Sequence, residues 1–275
     1  MALAICFACG NQNISEQENP QEPTMSKFTV QYETTVGGEI SWTSNIQTSG
    51  NVRFVARLVG ASSHSDITDT MTISDCTSNI SIQTDCNVSC GGLLGYFNVL
   101  NIAILIENCS ANGDIQIDNA ENGTAGGFAN NISSRNGFVT IQNCYATGDI
   151  LTQSHANGFS DGFTDVIAFN CYSKSQVIGR YASGFVHTVQ GTIRYCYATG
   201  NVTASNIACG FINVVHGNIE ECYSAGTVYA PQAATDFIYG LQDGTNINCY
   251  SSSNIIMTNE DINTALLVVR FINIK

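Results

Sequence analysis

Cys6-Phe7-Ala8-Cys9 has the spacing of half a zinc ribbon or of a redox pair, since two thiols that close can share one metal ion or one disulfide. No second ligand pair follows at metal spacing, the next cysteine being Cys76, so an apolar docking arm or acylated thiols fit the same residues. Cys86 and Cys90 fall in a longer turn and are the sequence candidates for an exposed reactive or bonded pair. Histidines occur at His64, His155, His187 and His216, at unmatched positions of the repeat described below, so they build no metal ladder and are expected in solvated or turn positions. Asp161 and Asp165 flank a glycine in HANGFSDGFTD and could hold Ca²⁺ with backbone carbonyls, although no recognised loop pattern surrounds them. Polysaccharide-cleaving sites want two or three carboxylates in one groove; here the acids are scattered singly, and no acid cluster accompanies the mid-solenoid arginines Arg135, Arg180 and Arg194 at ladder spacing. No Gly-rich phosphate loop and no Ser–His–Asp or Cys–His signature can be read from the order of residues. The expectation is therefore no catalytic, cofactor-binding or metal-binding set, no cofactor, and no enzyme.

The elements that position these residues are repeats. ENCSANGDI (107–115) recurs as QNCYATGDI (142–150), RYCYATGNV (194–202) and EECYSAGTV, with weaker copies between. The shared cysteines are Cys76, Cys109, Cys144, Cys171, Cys196, Cys222 and Cys249, at intervals of 33, 35, 27, 25, 26 and 27 residues. A second marker keeps step: Leu58, Leu93, Phe128, Phe159, Phe185, Phe211 and Phe237, at intervals of 35, 35, 31, 26, 26 and 26. Two markers with one period identify a repeat architecture.

Each unit alternates short β-rich runs with Gly or Asn turns, and helical periodicity is lacking. A period near 26 with about three strand segments predicts an all-β, right-handed parallel β-helix (β-solenoid) of about seven coils with N- and C-terminal caps. Equivalent residues then stack in ladders ~4.8 Å apart. The repeated cysteines point inward as small core residues, with parallel side chains that leave the thiols free. The repeated Leu or Phe fills the opposite side of the cross-section. Gly113, Gly148, Gly200 and Gly226 are expected at positive φ in sharp turns, and Asp114, Asp149 and Asn201 as a short polar ladder after them. The longer early repeats carry turn extensions on the outside.

The pattern N-C-Y-A-T-G-D/N-V/I followed by G-G-F or S-G-F-V resembles the GLUG repeat of bacterial surface proteins, among them adhesins and parts of some secreted peptidases. The resemblance spans about residues 50–255, with its best copies at 107–150 and 183–226. It implies a β-helical scaffold and, through the company such repeats keep, a surface adhesin; the repeat itself is found on proteins of different function.

Composition agrees with stacked strands. The chain has 275 residues, with 9 Lys+Arg against 22 Asp+Glu for a net charge of −13, and only 11% of its residues are charged. A net negative chain without a basic run has nothing to neutralise phosphates, so no nucleic-acid partner is expected. No run approaches the ~18 apolar residues of a transmembrane segment, and MALAICFACG lacks the basic start of a signal peptide. The expected location is accordingly the cytoplasm of synthesis, with a virion as destination, or the cell surface under the alternative below.

Residues 1–25 read as an extended N-terminal arm, 26–50 as N-terminal cap strands including Trp42, 51–255 as the β-solenoid, and 256–275 as a C-terminal capping or partner-pairing strand. Partner contacts are expected at Cys6, Cys9, Leu266, Val268 and Phe271, because an apolar terminal edge is a template for β-augmentation. Asn108, in one of seven N-x-S/T triplets, is expected to be inaccessible beside the core Cys109. The functional expectation is a non-enzymatic structural or interaction protein, a component of a larger assembly such as a virion or other protein shell, contacting other subunits or itself through the solenoid ends. The alternative is an adhesin-type surface module with carbohydrate as a partner; a carbohydrate-active β-helix enzyme comes third.

Overall fold

A computed structural model describes residues 70–257 other than 86, 101, 102, 119 and 120, together with strand backbone at 4–9, 40–42, 45–48 and 52–57; at 70 and 71 the backbone alone is described. Every described element is a β-strand. The strands form three parallel sheets of 8, 12 and 11 strands, numbered here 1, 2 and 3 in the order the chain visits them within a coil. One coil shows the plan: Tyr197–Ala198 in sheet 1, Val202–Cys209 in sheet 2, then Ile212–Val215 and Asn218–Glu220 in sheet 3. Each strand pairs in register with its equivalent one repeat later, as Tyr172, Tyr197, Tyr223 and Tyr250 do. This is a parallel β-solenoid.

Parallel stacking already includes strands before residue 51. Ile40–Trp42 pairs with Cys76–Ser78 and Asn45–Thr48 with Ser81–Thr84, both parallel, so Ile40 occupies the cysteine position of a first coil. Ala4–Cys9, within the expected arm, runs antiparallel to Val52–Arg57. The side chains of Cys6 and Cys9, and Cys86, Leu58, His64, Leu266, Val268 and Phe271 entire, lie outside the described residues.

The cross-section holds two cores rather than one. The cysteine ladder and the Leu/Phe ladder share a compartment with the inward residues of sheet 3. Sheet 2 folds back on itself around a second, narrower one, where Ile115, Val177 and Val202 face Ala125, Ala182 and Ala208. Phe128, Phe159, Phe185, Phe211 and Phe237 stack at 4.7, 4.8, 5.0 and 4.9 Å between ring centroids. That spacing is the strand spacing itself, so the ladder converts hydrogen-bond register into aromatic contact. The extra length of the early coils lies at two corners, between Ile117 and Thr124 and between Arg135 and Phe138, and leaves the core positions untouched.

Two turn assignments differ from expectation. Of Gly113, Gly148, Gly200 and Gly226, Gly226 has a positive φ, of 112°. Gly148 is required for another reason: a Cβ there would stand 2.0 Å from the carbonyl oxygen of Gly113 in the coil below. The left-handed residue of the turn is the one before each cysteine: Asp75, Asn108, Asn143, Asn170, Tyr195, Glu221 and Asn248, with φ between 51° and 56°. Asparagine tolerates that conformation best among non-glycine residues, which accounts for the recurrent Asn-Cys pair. Asn108 itself is exposed, not inaccessible, and its Oδ1 accepts a bond from Asn143 Nδ2 at 3.2 Å.

Candidate functional site

The cysteines expected as simple core fillers also hydrogen-bond. The Cys109 thiol donates to Glu107 O at 3.1 Å and accepts the backbone N–H of Cys76 at 3.4 Å. Cys196 and Cys222 repeat this, with Arg194 O and Glu220 O as acceptors at 3.2 and 3.1 Å. A thiol here satisfies the carbonyl and amide of a left-handed corner while remaining apolar enough for the core. Nine cysteines among the described residues are free thiols. Cys90, expected in an exposed pair, is instead fully buried in the second core, and burial pushes its thiol up to about 12. It sits in register with Ala125 on a short inward-facing strand, a placement that its Cys-x-x-x-Cys spacing did not reveal. Burial likewise pushes Cys209 up to about 12, so neither is a nucleophile.

The polar ladder after the turns is present. Asp149 N donates to Asp114 Oδ1 at 2.8 Å, Gln176 N to Asp149 Oδ1 at 3.1 Å, and Thr227 N to Asn201 Oδ1 at 2.9 Å. Each side chain accepts the amide of the coil above, which is a structural task.

Two of the four histidines, His155 and His187, meet in a place the sequence did not indicate. Sheets 2 and 3 meet at the Gly-Phe corner, where the chain bends inward and leaves an external crease along the rod. Side chains two and four residues before each Phe face the one two residues after it. Asn130 Nδ2 donates to Thr124 Oγ1 at 2.9 Å, and Asn157 Nδ2 donates to Asp161 Oδ1 at 2.9 Å. His155 Nδ1 lies 3.4 Å from Asp161 Oδ1, and the His155 and His187 rings stand 4.3 Å apart by centroid. Asn213 Nδ2 bonds His187 Nδ1 at 3.1 Å, and the Tyr181 ring meets His155 edge-on at 5.2 Å. Burial, with the adjacent His155, lowers the His187 pKa to about 4 against the pull of Asp161, so this imidazole is neutral at ordinary pH.

His155 and His187 occupy different repeat positions, and matching by position alone therefore separated them. They touch because one belongs to the sheet 2 wall of its coil and the other to the sheet 3 wall of the next. Two buried oxygens at the floor of the crease in successive coils, Asn157 Oδ1 and Ser183 Oγ, have no hydrogen-bond partner. Among the described residues no three His, Cys, Asp or Glu side chains converge as a metal site. Asp161 is engaged by His155 and Asn157, whereas Asp165 lies exposed in a left-handed bulge, so the two do not act as the Ca²⁺ pair their spacing suggested.

A second feature is the outer side of sheets 1 and 3. Tyr145, Tyr172, Tyr197, Tyr223 and Tyr250 stack on the surface at 4.9, 4.8, 4.9 and 5.3 Å. On the outer face of sheet 3 Phe138, Ile167 and Phe169 are 51, 43 and 41% exposed, and Tyr195, just before the sheet 1 corner, is 47% exposed. Phe169 and Tyr195 touch edge-on at 5.2 Å.

No model of a known protein family matches the chain, and no curated protein matches it. Among solved structures it is similar to the crystal structure of a "putative immunoglobulin A1 protease from Bacteroides ovatus", with 16% identity and a TM-score of 0.40, over 78% of this chain and 71% of that one. The expectation that the chain is not an enzyme is overturned by that protease name, and a non-enzymatic class is not carried forward. A likeness of this size assigns no activity either. No helix among the described residues is long and apolar enough to cross a membrane.

Proposed function

We propose that the chain is a β-solenoid interaction scaffold that docks into a larger protein assembly through the outer side of sheets 1 and 3. The observation that carries this reading is the edge-on contact of two exposed aromatic side chains, Phe169 and Tyr195, next to the tyrosine ladder, with Phe138 and Ile167 also exposed on the outer face of sheet 3. Clustered exposed apolar side chains mark interaction sites, and aromatic residues are the usual anchors. The rod supplies rigidity: ladders fix each side chain relative to the next, so little conformational freedom is lost when a partner binds.

A second reading, an adhesin-type surface module of the GLUG kind, is supported by the repeat pattern and by the polar crease on the other corner, which is lined by side chains suited to ligand hydrogen bonds. Hydroxyl-radical footprinting of the chain in its native source against the isolated chain tests the docking reading. Protection of Phe169 and Tyr195 in the native source supports it; equal modification in both removes it.

A further inference from the structure

We propose that the crease between sheets 2 and 3 is a binding site for a neutral glycan chain lying along the axis of the rod. This deepens the surface-module reading and rests on it. Three observations point to this ligand class.

The first is the lining. From Thr124 to Asn213 the crease is lined by amide, imidazole, hydroxyl and phenol groups; Thr124, His155, Asp161, Tyr181 and His187 are partly exposed, over the buried amides of Asn130, Asn157 and Asn213. Asp161 and Arg180 contribute one charge of each sign. Asp161 is tied to His155 and Asn157, and the Arg180 guanidinium lies 5.4 Å from the Tyr181 ring centroid. Planar polar groups beside an aromatic ring match a sugar, whose hydroxyls need donors and acceptors together and whose ring face is apolar. A phosphate or sulfate ligand would want several cations instead.

The second is the pair of orphan oxygens. Asn157 and Ser183 are fully buried, yet Asn157 Oδ1 and Ser183 Oγ have no partner. Buried polar atoms are almost always paired; five among the described residues are not, and these two stand in register in successive coils at this corner, where ligand hydroxyls complete the network once the side chains over them turn aside. His187, held neutral, offers a further uncharged nitrogen on the same side.

The third is periodicity. Sheet 2 places His155, Tyr181 and Ile207 in register along one wall. Sheet 3 places Asn130, Asp161, His187 and Asn213 at equivalent positions along the other. The rise of ~4.8 Å per coil is close to the length of one pyranose unit in an extended chain, so successive coils meet successive sugars. The net charge of −13 disfavours polyanionic glycans and leaves the neutral ones.

The test is calorimetric titration of the full chain with neutral oligosaccharides of glucose, mannose, galactose and N-acetylglucosamine, from dimers to hexamers, with polygalacturonate alongside. At least one neutral series is expected to bind, with affinity rising until the oligomer spans the polar coils. His155→Ala and Asn213→Ala are each expected to weaken it about tenfold or more, while Leu151→Ala, on the outer side of sheet 2, leaves it unchanged. Histidine-selective NMR of the unaltered protein guards against misfolded variants: His155 and His187 resonances should shift on binding and His216 should not. The proposal is overturned if no neutral series binds at millimolar concentration, if crease variants bind as the parent does, if His155 and His187 stay unmoved, or if polygalacturonate binds best. Footprinting at Phe169 reads the docking side alone, so failure here leaves that result standing, and the reverse holds as well.

Discussion

At the scale of single residues, the chain is governed by the left-handed corner before each cysteine. Asn108, Asn143, Asn170 and Asn248 fit it well, while Tyr195 and Glu221 occupy it at φ 55° and 51° without that advantage. A side chain ill suited to this region costs about 1–2 kcal/mol. Glu221→Asn is therefore expected to stabilise the protein by about 1 kcal/mol, read as a rise in the midpoint of urea unfolding. Tyr195 is a poorer choice for that test, because its edge contact with Phe169 would be lost. His187 sets a second expectation. Its folded pKa, lowered to about 4, lies below the 6.5 of the unfolded chain. Between those values the unfolded state binds more protons, so stability falls as pH drops through that window, by at most about 3 kcal/mol. Desolvation, with the nearby His155, opposes protonation, and Asp161 favours it. His187→Asn should flatten the dependence in unfolding measured from pH 7 to 4; an unchanged slope would show that other groups carry it.

At the scale of the coil, the unit is interchangeable. Sheet pairing, the cysteine bonds and the phenylalanine stack all join one coil to the next, so stability is roughly a sum of coil and interface contributions. Removal of Cys196–Glu221 leaves Tyr195 followed by Cys222 and restores every ladder. The shortened chain should fold with parallel-sheet circular dichroism and a lower unfolding midpoint, whereas removal of a half-coil, such as 196–208, should abolish cooperative unfolding. This interchangeability is also why the coil could be read from the sequence. Cys109, Cys144 and Phe128, Phe159 recur because stacking demands the same residue type at each level. The corners were less legible. Gly148 signals a special position without saying whether φ or a close carbonyl requires it, and two cores in one cross-section leave no distinct trace in the order of Ile115 and Ala125. The crease was invisible for a different reason. His155, Asp161 and His187 come from unlike repeat positions, and only the inward bend at Gly158-Phe159 and its counterpart at Gly184-Phe185 brings the two walls together. Had the positions either side of each Phe been tabulated coil by coil, the row Asn130, Asp161, His187, Asn213 would have shown as a polar line on an otherwise variable wall.

At the scale of the molecule, the rod divides its labour between corners. The interior ladders are committed to the fold: Phe128, Phe159, Phe185 and Phe211 are fully buried, as are Cys109, Cys144, Cys171 and Cys196. The outer side of sheets 1 and 3 carries exposed aromatic groups in fixed rows, and the crease between sheets 2 and 3 carries two of the five unpaired buried oxygens among the described residues, Asn157 Oδ1 and Ser183 Oγ. On the proposed reading, separate corners keep protein docking and ligand binding from competing for the same residues. Hydroxyl-radical footprinting of the native source against the isolated chain tests this division most directly, because one experiment reads every aromatic side chain. Phe128, Phe159 and Phe185 should be unreactive in both samples. Phe138, Phe169 and Tyr195 should be modified in the isolated chain and protected in the native source, with Leu151, on the outer side of sheet 2, equally reactive in both. Modification of Phe159 in the isolated chain would contradict the stacked rod, and equal modification of Phe169 and Tyr195 in the two samples would contradict the docking side.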